Sequence, residues 1–170
     1  NTSGVFQVYF DGSKVDLTDS SEDIDAFAVL KDGRLIVSTT GHYAVGNLSG
    51  DGTDLLAFTP RTVGMDTAGD WSLYLKAGDM GLKKGNENIS GVWFDETAPD
   101  GVHLYLSARG NFAGSPLKGD ANDIFTCLVG PGPSCTLQRF WDGNEHQLGD
   151  ETIDALAMTT GAADVGMVQA

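Results

Sequence analysis

The chain has 170 residues, of which 41% are hydrophobic, 20% are charged and 23 are glycine. Its formal net charge of -14 excludes nucleic acid and anionic membranes as favoured partners and favours divalent cations or basic partners. No run of about 20 apolar residues is present, which excludes a membrane-spanning helix.

Apolar and polar residues alternate through most of the chain, which is typical of strands rather than helices. The pattern predicts ten or eleven short strands joined by glycine-rich turns, with Pro60 ending one of them. In chain order these cover residues 5–10, 25–30, 34–38, 55–59, 71–75, 91–94, 103–107, 123–128, 137–141 and 152–158, with 164–170 as a further short strand.

One passage of the sequence occurs twice and begins a third time. The first copy contains Ile24-Asp25-Ala26 and ends with Gly50-Asp51-Gly52-Thr53-Asp54. The second contains Ile89-Ser90-Gly91 and ends with Gly119-Asp120-Ala121-Asn122-Asp123, and the third begins with Ile153-Asp154-Ala155. Such repetition predicts one supersecondary unit stacked on copies of itself. We therefore expect a single all-β domain over 1–170, with copies at about 8–60 and 71–130 and a partial third at 136–170.

The predicted strand content gives four short strands to each complete copy. Four-stranded units of this size are typical of propeller-like folds. Two complete copies and a fraction are too few for a closed ring, so an open repeat sheet and a two-sheet β-sandwich stay as alternatives.

Several strings resemble a repeat found in secreted, propeller-like bacterial proteins of unknown function. They are Phe10-Asp11-Gly12-Ser13, Ile24-Asp25-Ala26-Phe27, the pattern Leu-x-x-Ser-x-x-Gly and the pattern Gly-Asp-x-x-Asp-Ile/Leu. The resemblance covers residues 8–156, although Lys76-Ala77-Gly78-Asp79 stands where the first copy has Asp-Gly-Ser. It implies secretion and a tandem-repeat fold, and it carries no established activity.

The two cysteines, Cys127 and Cys135, flank a stretch with two prolines and two glycines, which predicts a turn. Strands leaving that turn would hold the thiols opposite each other, so we expect a disulfide. A disulfide, together with a start at Asn1 rather than Met, indicates a processed, secreted chain.

Aspartates three residues apart in glycine-rich loops are the best candidates for a site. Asp51 and Asp54 precede one predicted strand, and Asp120 and Asp123 occupy the same places in the second copy, where Asn122 adds an amide oxygen. Calcium prefers six to eight hard oxygen ligands, so we expect calcium at one or both loops. The alternative is plain turn chemistry, in which aspartate bonds the nearby backbone. Further acidic residues cluster at Asp19, Glu22, Asp23 and Asp25, and at Asp150, Glu151 and Asp154.

Catalytic signatures are weak. His42, His103 and His146 share no repeat position and show no metal-ligand spacing, and a Gly-x-Ser-x-Gly elbow is missing. We therefore expect no enzyme, with a hydrolase using paired carboxylates as a distant alternative. Six aromatic residues either stack on sugar rings or fill the core: Trp71, Trp93, Trp141, Tyr43, Tyr74 and Tyr105.

The sequence thus favours a secreted, non-enzymatic structural or assembly protein. It would self-associate through sheet edges into an oligomer or filament, with the apolar segment 5–10 completing a broken unit of a neighbouring chain and calcium supporting the loops. The alternative is a carbohydrate-binding module or lectin that binds a glycan through exposed aromatic residues.

Overall fold

The computed structural model describes residues 4–83, 85, 87–113, 117–130 and 135–158, with the backbone alone for Phe112 and Ala113. Twelve strands lie in these residues: β1 (Ile24–Val29), β2 (Leu35–Thr39), β3 (Tyr43–Val45), β4 (Leu48–Gly50), β5 (Leu55–Thr62), β6 (Ala68–Leu75), β7 (Ile89–Asp95), β8 (Val102–Ala108), β9 (Phe112–Ala113), β10 (Lys118–Gly119), β11 (Ile124–Val129) and β12 (Gln138–Trp141). The one α-helix among them, α1, is Ala77–Met80. The all-β prediction is confirmed.

The strands form two four-stranded antiparallel sheets, each a simple meander. The first sheet has the order β1-β2-β5-β6, and the second has the order β7-β8-β11-β12. Each sheet also carries a small hairpin between its second and third strands, β3-β4 in the first and β9-β10 in the second. Neither hairpin is among the predicted strands, because two or three residues are too few to show an alternating pattern.

The two sheets pack face to face around the main core, an arrangement compatible with propeller-like units and with a two-sheet sandwich. We call the face of the first sheet that meets the second its back face; Ala26, Ala28, Ile36 and Ala57 lie on it. The second sheet meets it with its own front face, which carries the larger side chains Val92, Phe94, Leu104, Leu106, Phe125 and Cys127. Small side chains on one face therefore accommodate large ones on the other, as close packing requires.

The front face of the first sheet points away from the second sheet. The side chains of its central strands, Leu35, Val37, Leu56 and Phe58, are fully buried there. Two pieces of the chain cover them: residues 10–17, through Phe10, Val15 and Leu17, and the β3-β4 hairpin, through Tyr43 and Val45. The edge strand β1 lies outside this cover, and its Phe27 and Val29 remain 41% and 49% exposed.

Corresponding positions of the sequence copies make the same backbone contacts. Leu17, Leu82 and Leu148 each donate a backbone hydrogen bond across a short helical turn, to the carbonyls of Gly12, Ala77 and Gly143. A left-handed residue precedes each of these leucines: Asp16 at φ 71°, Gly81 at φ 79° and Gln147 at φ 65°. Only the second copy supplies glycine, the residue that adopts this conformation without strain.

The same irregularities recur in the two sheets. The pairing of β1 with β2 shifts register between Ile24 and Ala26, and that of β7 with β8 shifts between Ile89 and Gly91. The third strands behave alike, with shifts at Leu55/Leu56 and at Ile124/Phe125. Bulges at matched positions bend and twist both sheets in the same way.

Three sequence expectations differ from the structure. Residues 5–9 are not a strand, and Phe10 makes only an isolated bridge to Gly64. Residues 152–158 form no strand either, because no second strand lies beside them among the described residues. The boundary between the first two predicted copies, at residues 61–70, lies within the β5-β6 hairpin. The two four-stranded sheets therefore span residues 24–75 and 89–141. The predicted strand at 164–170 lies outside the described residues.

Pro60 also fails to end its strand, since β5 continues to Thr62. Beyond Phe58 this strand pairs with β6 on one side only, and β2 pairs with Leu56, Ala57 and Phe58. A proline that faces an open edge costs no ladder hydrogen bond.

The predicted disulfide between Cys127 and Cys135 is confirmed, with 5.6 Å between the two Cα atoms. Cys127 lies in β11 and Cys135 precedes β12, the antiparallel partner of β11. Both side chains are buried in the main core. The bond therefore ties the outer hairpin of the second sheet to the sheet interface. Residues 131–134 of the predicted turn lie outside the described residues.

Candidate functional site: the acidic loops

The four aspartates predicted to bind calcium lie in two equivalent loops. Asp51 and Asp54 stand between β4 and β5, and Asp120 and Asp123 stand between β10 and β11. In each loop the second aspartate donates its backbone N–H to the carbonyl of the first, at 2.9 Å in the first loop and 3.1 Å in the second. Both loops are therefore tight turns of the same kind.

Asp54 is 4% exposed, and its carboxylate bonds to two protein groups. One oxygen accepts a hydrogen bond from the backbone N–H of Ala77 at 2.8 Å, and the other accepts one from the hydroxyl of Tyr43 at 3.0 Å. Burial and then the Asp54 carboxylate raise the pKa of the Tyr43 phenol, so the hydroxyl stays a donor at neutral pH. Asp54 thereby joins the β3-β4 hairpin to the chain that leaves β6.

Asp123 has the same function in the second sheet, where it is 1% exposed. One carboxylate oxygen accepts the N–H of Gly143 at 3.1 Å, and the other accepts the N–H of Asp120 at 3.1 Å. Arg139 Nε lies 3.5 Å from the second oxygen. Gly143 corresponds to Ala77 in the sequence copies, so each second aspartate holds the first residues after its own outer strand.

The first aspartates are more open. Asp51 Oδ1 lies 3.9 Å from His42 Nδ1, and Asp120 Oδ2 accepts a hydrogen bond from Asn144 Nδ2 at 2.9 Å. Asn122, predicted as a further ligand, is 1% exposed, and its Oδ1 atom has no hydrogen-bond partner. Among the described residues, no three His, Cys, Asp or Glu side chains are grouped closely enough to hold a metal ion.

A third acidic group, around Glu22, is also structural. Glu22 is 4% exposed and accepts three backbone hydrogen bonds, from Thr18 at 2.7 Å, Asp19 at 2.9 Å and Ala44 at 2.9 Å. Burial alone would raise the pKa of this carboxyl, but the hydrogen bonds from Asp19, Ala44 and Thr18 outweigh it and lower the pKa. Glu22 therefore links the entry to β1 with the β3-β4 hairpin.

The sequence contains a pattern that indicates this structural role of Glu22, and the prediction based on the loop aspartates missed it. Glu22, Glu87 and Glu151 each stand two residues before the isoleucine that opens a copy, Ile24, Ile89 or Ile153. Glu87, like Glu22, is buried and accepts a backbone hydrogen bond from the residue four positions earlier, Lys83. An acid that recurs at a fixed place before a strand indicates a structural cap.

Asp25 and Asp154, which belong to the two further acidic clusters of the sequence, lie near each other. Asp25 lies at the start of β1, and its buried Oδ2 atom has no hydrogen-bond partner among the described residues. Burial raises the pKa of Asp25, nearby Asp154 adds to the rise, and Arg109 opposes it. The start of β1 and the segment that begins the third copy are thus close to each other.

The three histidines lie apart. His42 is exposed beside Asp51, and His146 stacks on the Trp141 ring with 4.9 Å between centroids. His103 is half-buried in β8, and its Nε2 lies 2.9 Å from Asp100 Oδ1. The His103 hydrogen bond lowers the pKa of the Asp100 carboxyl.

Most of the aromatic residues pack within the fold. Trp71 contacts Phe10 and Phe58, and its indole N–H donates to the carbonyl of Val15 at 2.7 Å. Tyr74 packs edge-on against Phe94 across the sheet interface. On the outward face of the second sheet, Tyr105 packs against two further rings, those of Trp93 and Phe140.

One aromatic residue also lines an open cleft. Trp71 forms part of a cleft of about 370 Å³ whose wall includes Lys14, Asn47, Arg61 and Asp70. Arg61 and Asp70 form an ion pair across neighbouring strands. The cleft therefore combines a ring edge with polar and charged groups.

The described residues include no helix long and apolar enough to cross a membrane. Comparison of the chain with family models, with curated proteins and with solved structures gives no match. The proposed function therefore rests on the residues and their geometry.

Proposed function

We propose that this chain is a non-enzymatic structural protein, built from propeller-like repeats, that self-associates outside the cell. The observation that carries the proposal is a set of large apolar side chains left on the surface of an otherwise acidic protein. They lie on the N-terminal segment and on β1: Val5, Phe6, Val8, Tyr9, Ile24, Phe27 and Val29. Exposed apolar groups of this kind are typical of interaction surfaces.

The use of the buried acids supports a structural role over a catalytic one. Glu22, Asp54 and Asp123 bond to backbone N–H groups that hold successive parts of the chain together. For Glu22 these hydrogen bonds lower the pKa, whereas general acid–base chemistry needs a pKa near the working pH. The disulfide supports secretion, since such bonds persist in oxidising compartments.

The N-terminal segment is the proposed strand donor. Residues 5–9 form no strand, yet they are rich in the β-branched and aromatic residues that strands favour. Four strands lie at sheet edges, β1 and β6 in the first sheet and β7 and β12 in the second. Pairing with an edge strand of a neighbouring chain would satisfy the backbone of this segment and bury its apolar side chains.

Sedimentation velocity over a micromolar concentration series tests this function. We expect the mass of the full chain to rise with concentration above the 17.9 kDa of one chain. A variant without residues 1–9 retains Phe10, which packs on Phe58 and Trp71, and it should associate less. A single-chain mass at every concentration would overturn the proposal.

We also propose calcium as a stabilising ion at the two aspartate loops. Asp51 and Asp120 are less buried than Asp54 and Asp123, so they would provide the charge, together with loop carbonyls and water. Binding to the folded state raises the melting temperature by mass action. Thermal melts in excess calcium and in excess chelator should therefore differ, and Asp51→Asn with Asp120→Asn should remove the difference. Identical melts of the unmodified chain would exclude calcium.

A carbohydrate-binding function is the second candidate, and the cleft beside Trp71 favours it. Aromatic rings next to polar side chains are the usual composition of a sugar site. Titration with neutral oligosaccharides, followed through tryptophan fluorescence, would test it. Arg61→Ala, which removes a cleft side chain outside the core, should weaken any binding that occurs there.

A further inference from the structure

The interface between the two sheets provides a template for contacts between molecules. Strand β1 lies against β7, the first strand of the second sheet. On the β1 side the contact surface consists of small residues, Ala26 and Ala28; on the β7 side it consists of Val92 and Phe94. The first strand of one unit therefore presents alanines to the large side chains of the next first strand.

Residues 153–158 lie on the second sheet as β7 lies on the first. Ile153 donates its backbone N–H to Ala121 at 3.0 Å, just as the corresponding Ile89 donates to Gly52 at 3.0 Å. Ser90 and Ser107 both donate hydroxyl hydrogen bonds to the carbonyl of Ile153, each at 2.8 Å. A Cβ atom on Gly91 would come within 3.0 Å of Leu156, so the segment lies directly on β7.

The outward side of residues 153–158 repeats the small side chains that β1 presents to β7. Counting from the isoleucines, Ala155 and Ala157 correspond to Ala26 and Ala28, and Leu156 and Met158 correspond to Phe27 and Val29. Leu156 and Met158 are partly buried, whereas Ala155 and Ala157 are exposed. We call Ala155 and Ala157 the alanine surface.

The opposite end of the molecule carries the complementary surface. Phe27 and Val29 correspond to Val92 and Phe94, the side chains that meet alanines inside the molecule. They are 41% and 49% exposed, on the side of β1 that faces away from the second sheet. We call these two residues the β1 surface.

We propose that the β1 surface of one copy of this chain docks on the alanine surface of a second copy, reproducing the β1–β7 contact between molecules. The inference rests on the proposed self-association and specifies its geometry. The two surfaces differ, so the contact is head-to-tail, and every added copy leaves one surface of each kind free. Such contacts give a ring where they close and a filament where they do not.

Two charge substitutions on exposed residues test the two surfaces independently. Phe27→Glu blocks the β1 surface, and Ala157→Glu blocks the alanine surface. Each should raise the dissociation constant by about a hundredfold or more, because the contact would bury an unpaired carboxylate. Leu128→Glu is the matched control, since Leu128 is 46% exposed and lies in β11, which carries neither surface. Circular dichroism checks that all three variants retain the fold.

Mixing the two blocked variants tests the head-to-tail geometry. Each blocked variant alone should sediment as a single chain at concentrations where the unmodified chain and Leu128→Glu associate. Their equimolar mixture has one intact surface of each kind, so it should form a two-chain species and nothing larger. Association of the blocked variants like the unmodified chain, or a mixture that stays monomeric, overturns this geometry while leaving self-association in place. A monomeric unmodified chain overturns both proposals.

Discussion

The recurring acids of this protein act on the backbone. Glu22 accepts hydrogen bonds from three N–H groups, and Asp54 and Asp123 each bind the second residue after an outer strand. Burying a carboxylate is costly unless hydrogen bonds replace its lost hydration, and here backbone donors supply most of them. The repeated Gly-Asp-x-x-Asp pattern is therefore explained by folding whether or not the loops also bind calcium.

Replacing Glu22 with glutamine should destabilise the protein and change its response to acid. The amide cannot accept charge-assisted hydrogen bonds, so we expect a loss of roughly 1–3 kcal/mol in the free energy of unfolding at neutral pH. The pKa of Glu22 is lowered in the folded state, so its contribution is present above the unfolded pKa of about 4.3 and is lost as pH falls through the folded pKa.

Urea unfolding of the unmodified chain and of Glu22→Gln, between neutral pH and about pH 3, measures both effects. Glu145→Gln is the control, because Glu145 is an exposed acid in a short turn. Equal stability of Glu22→Gln and the unmodified chain at neutral pH would contradict the assigned role.

Tyr43→Phe tests the bond between the hairpin and the first aspartate loop. The change removes the hydroxyl that donates to Asp54 at 3.0 Å and leaves the ring in its buried place. A buried acceptor without its donor should cost roughly 1–3 kcal/mol in the free energy of unfolding. Tyr9→Phe is the control on an exposed tyrosine. Equal losses for the two variants would contradict a specific Tyr43–Asp54 bond.

At the scale of elements, the sequence predicted the strands that pair with neighbours in the two four-stranded sheets. Residues 103–107 and 123–128 carry apolar side chains at every second position on the side that faces the core, and the structure places β8 and β11 there. Residues 34–38 contain instead a continuous apolar run, because β2 is buried on both sides. Residues 5–10 are equally rich in β-branched and aromatic residues, but no strand lies beside them in the part of the chain that the structure describes. A pattern records which side chains are apolar, and it does not record whether a partner strand is present.

The sequence predicted where the acidic loops lie, but it did not predict that Asp54 and Asp123 bond to the backbone. Spacing located Asp51, Asp54, Asp120 and Asp123 in equivalent turns, which the structure shows. The bonds of Asp54 to Ala77 and of Asp123 to Gly143 join residues about 20 positions apart, and only the folded chain brings them together. A carboxylate that caps backbone and one that binds calcium look alike in the sequence.

Removal of the disulfide should loosen the outer hairpin of the second sheet. Cys127 and Cys135 are eight positions apart, so the bond closes a short loop and should contribute roughly 2–3 kcal/mol. Replacing both cysteines with alanine should lower the free energy of unfolding in urea by about that amount, and with it the urea midpoint. Unfolding of the unmodified chain with and without reductant provides the comparison, and the variant should be insensitive to reductant. A midpoint unchanged by both treatments would contradict this contribution.

At the scale of the whole molecule, two forces oppose each other. The exposed β1 surface and N-terminal segment favour association, while a net charge of -14 makes two copies repel. Salt screens the repulsion over about 10 Å at 0.1 M and about 3 Å at 1 M, and it leaves apolar contacts intact. Association driven by apolar surfaces should therefore strengthen with salt, whereas association held by ion pairs would weaken.

The most direct test of the structural role is the sedimentation mass of the unmodified chain at fixed micromolar concentration, from about 0.1 M to about 1 M sodium chloride. Self-association through apolar surfaces predicts a mass that exceeds one chain of 17.9 kDa and rises with salt. A single-chain mass at every salt concentration would contradict it.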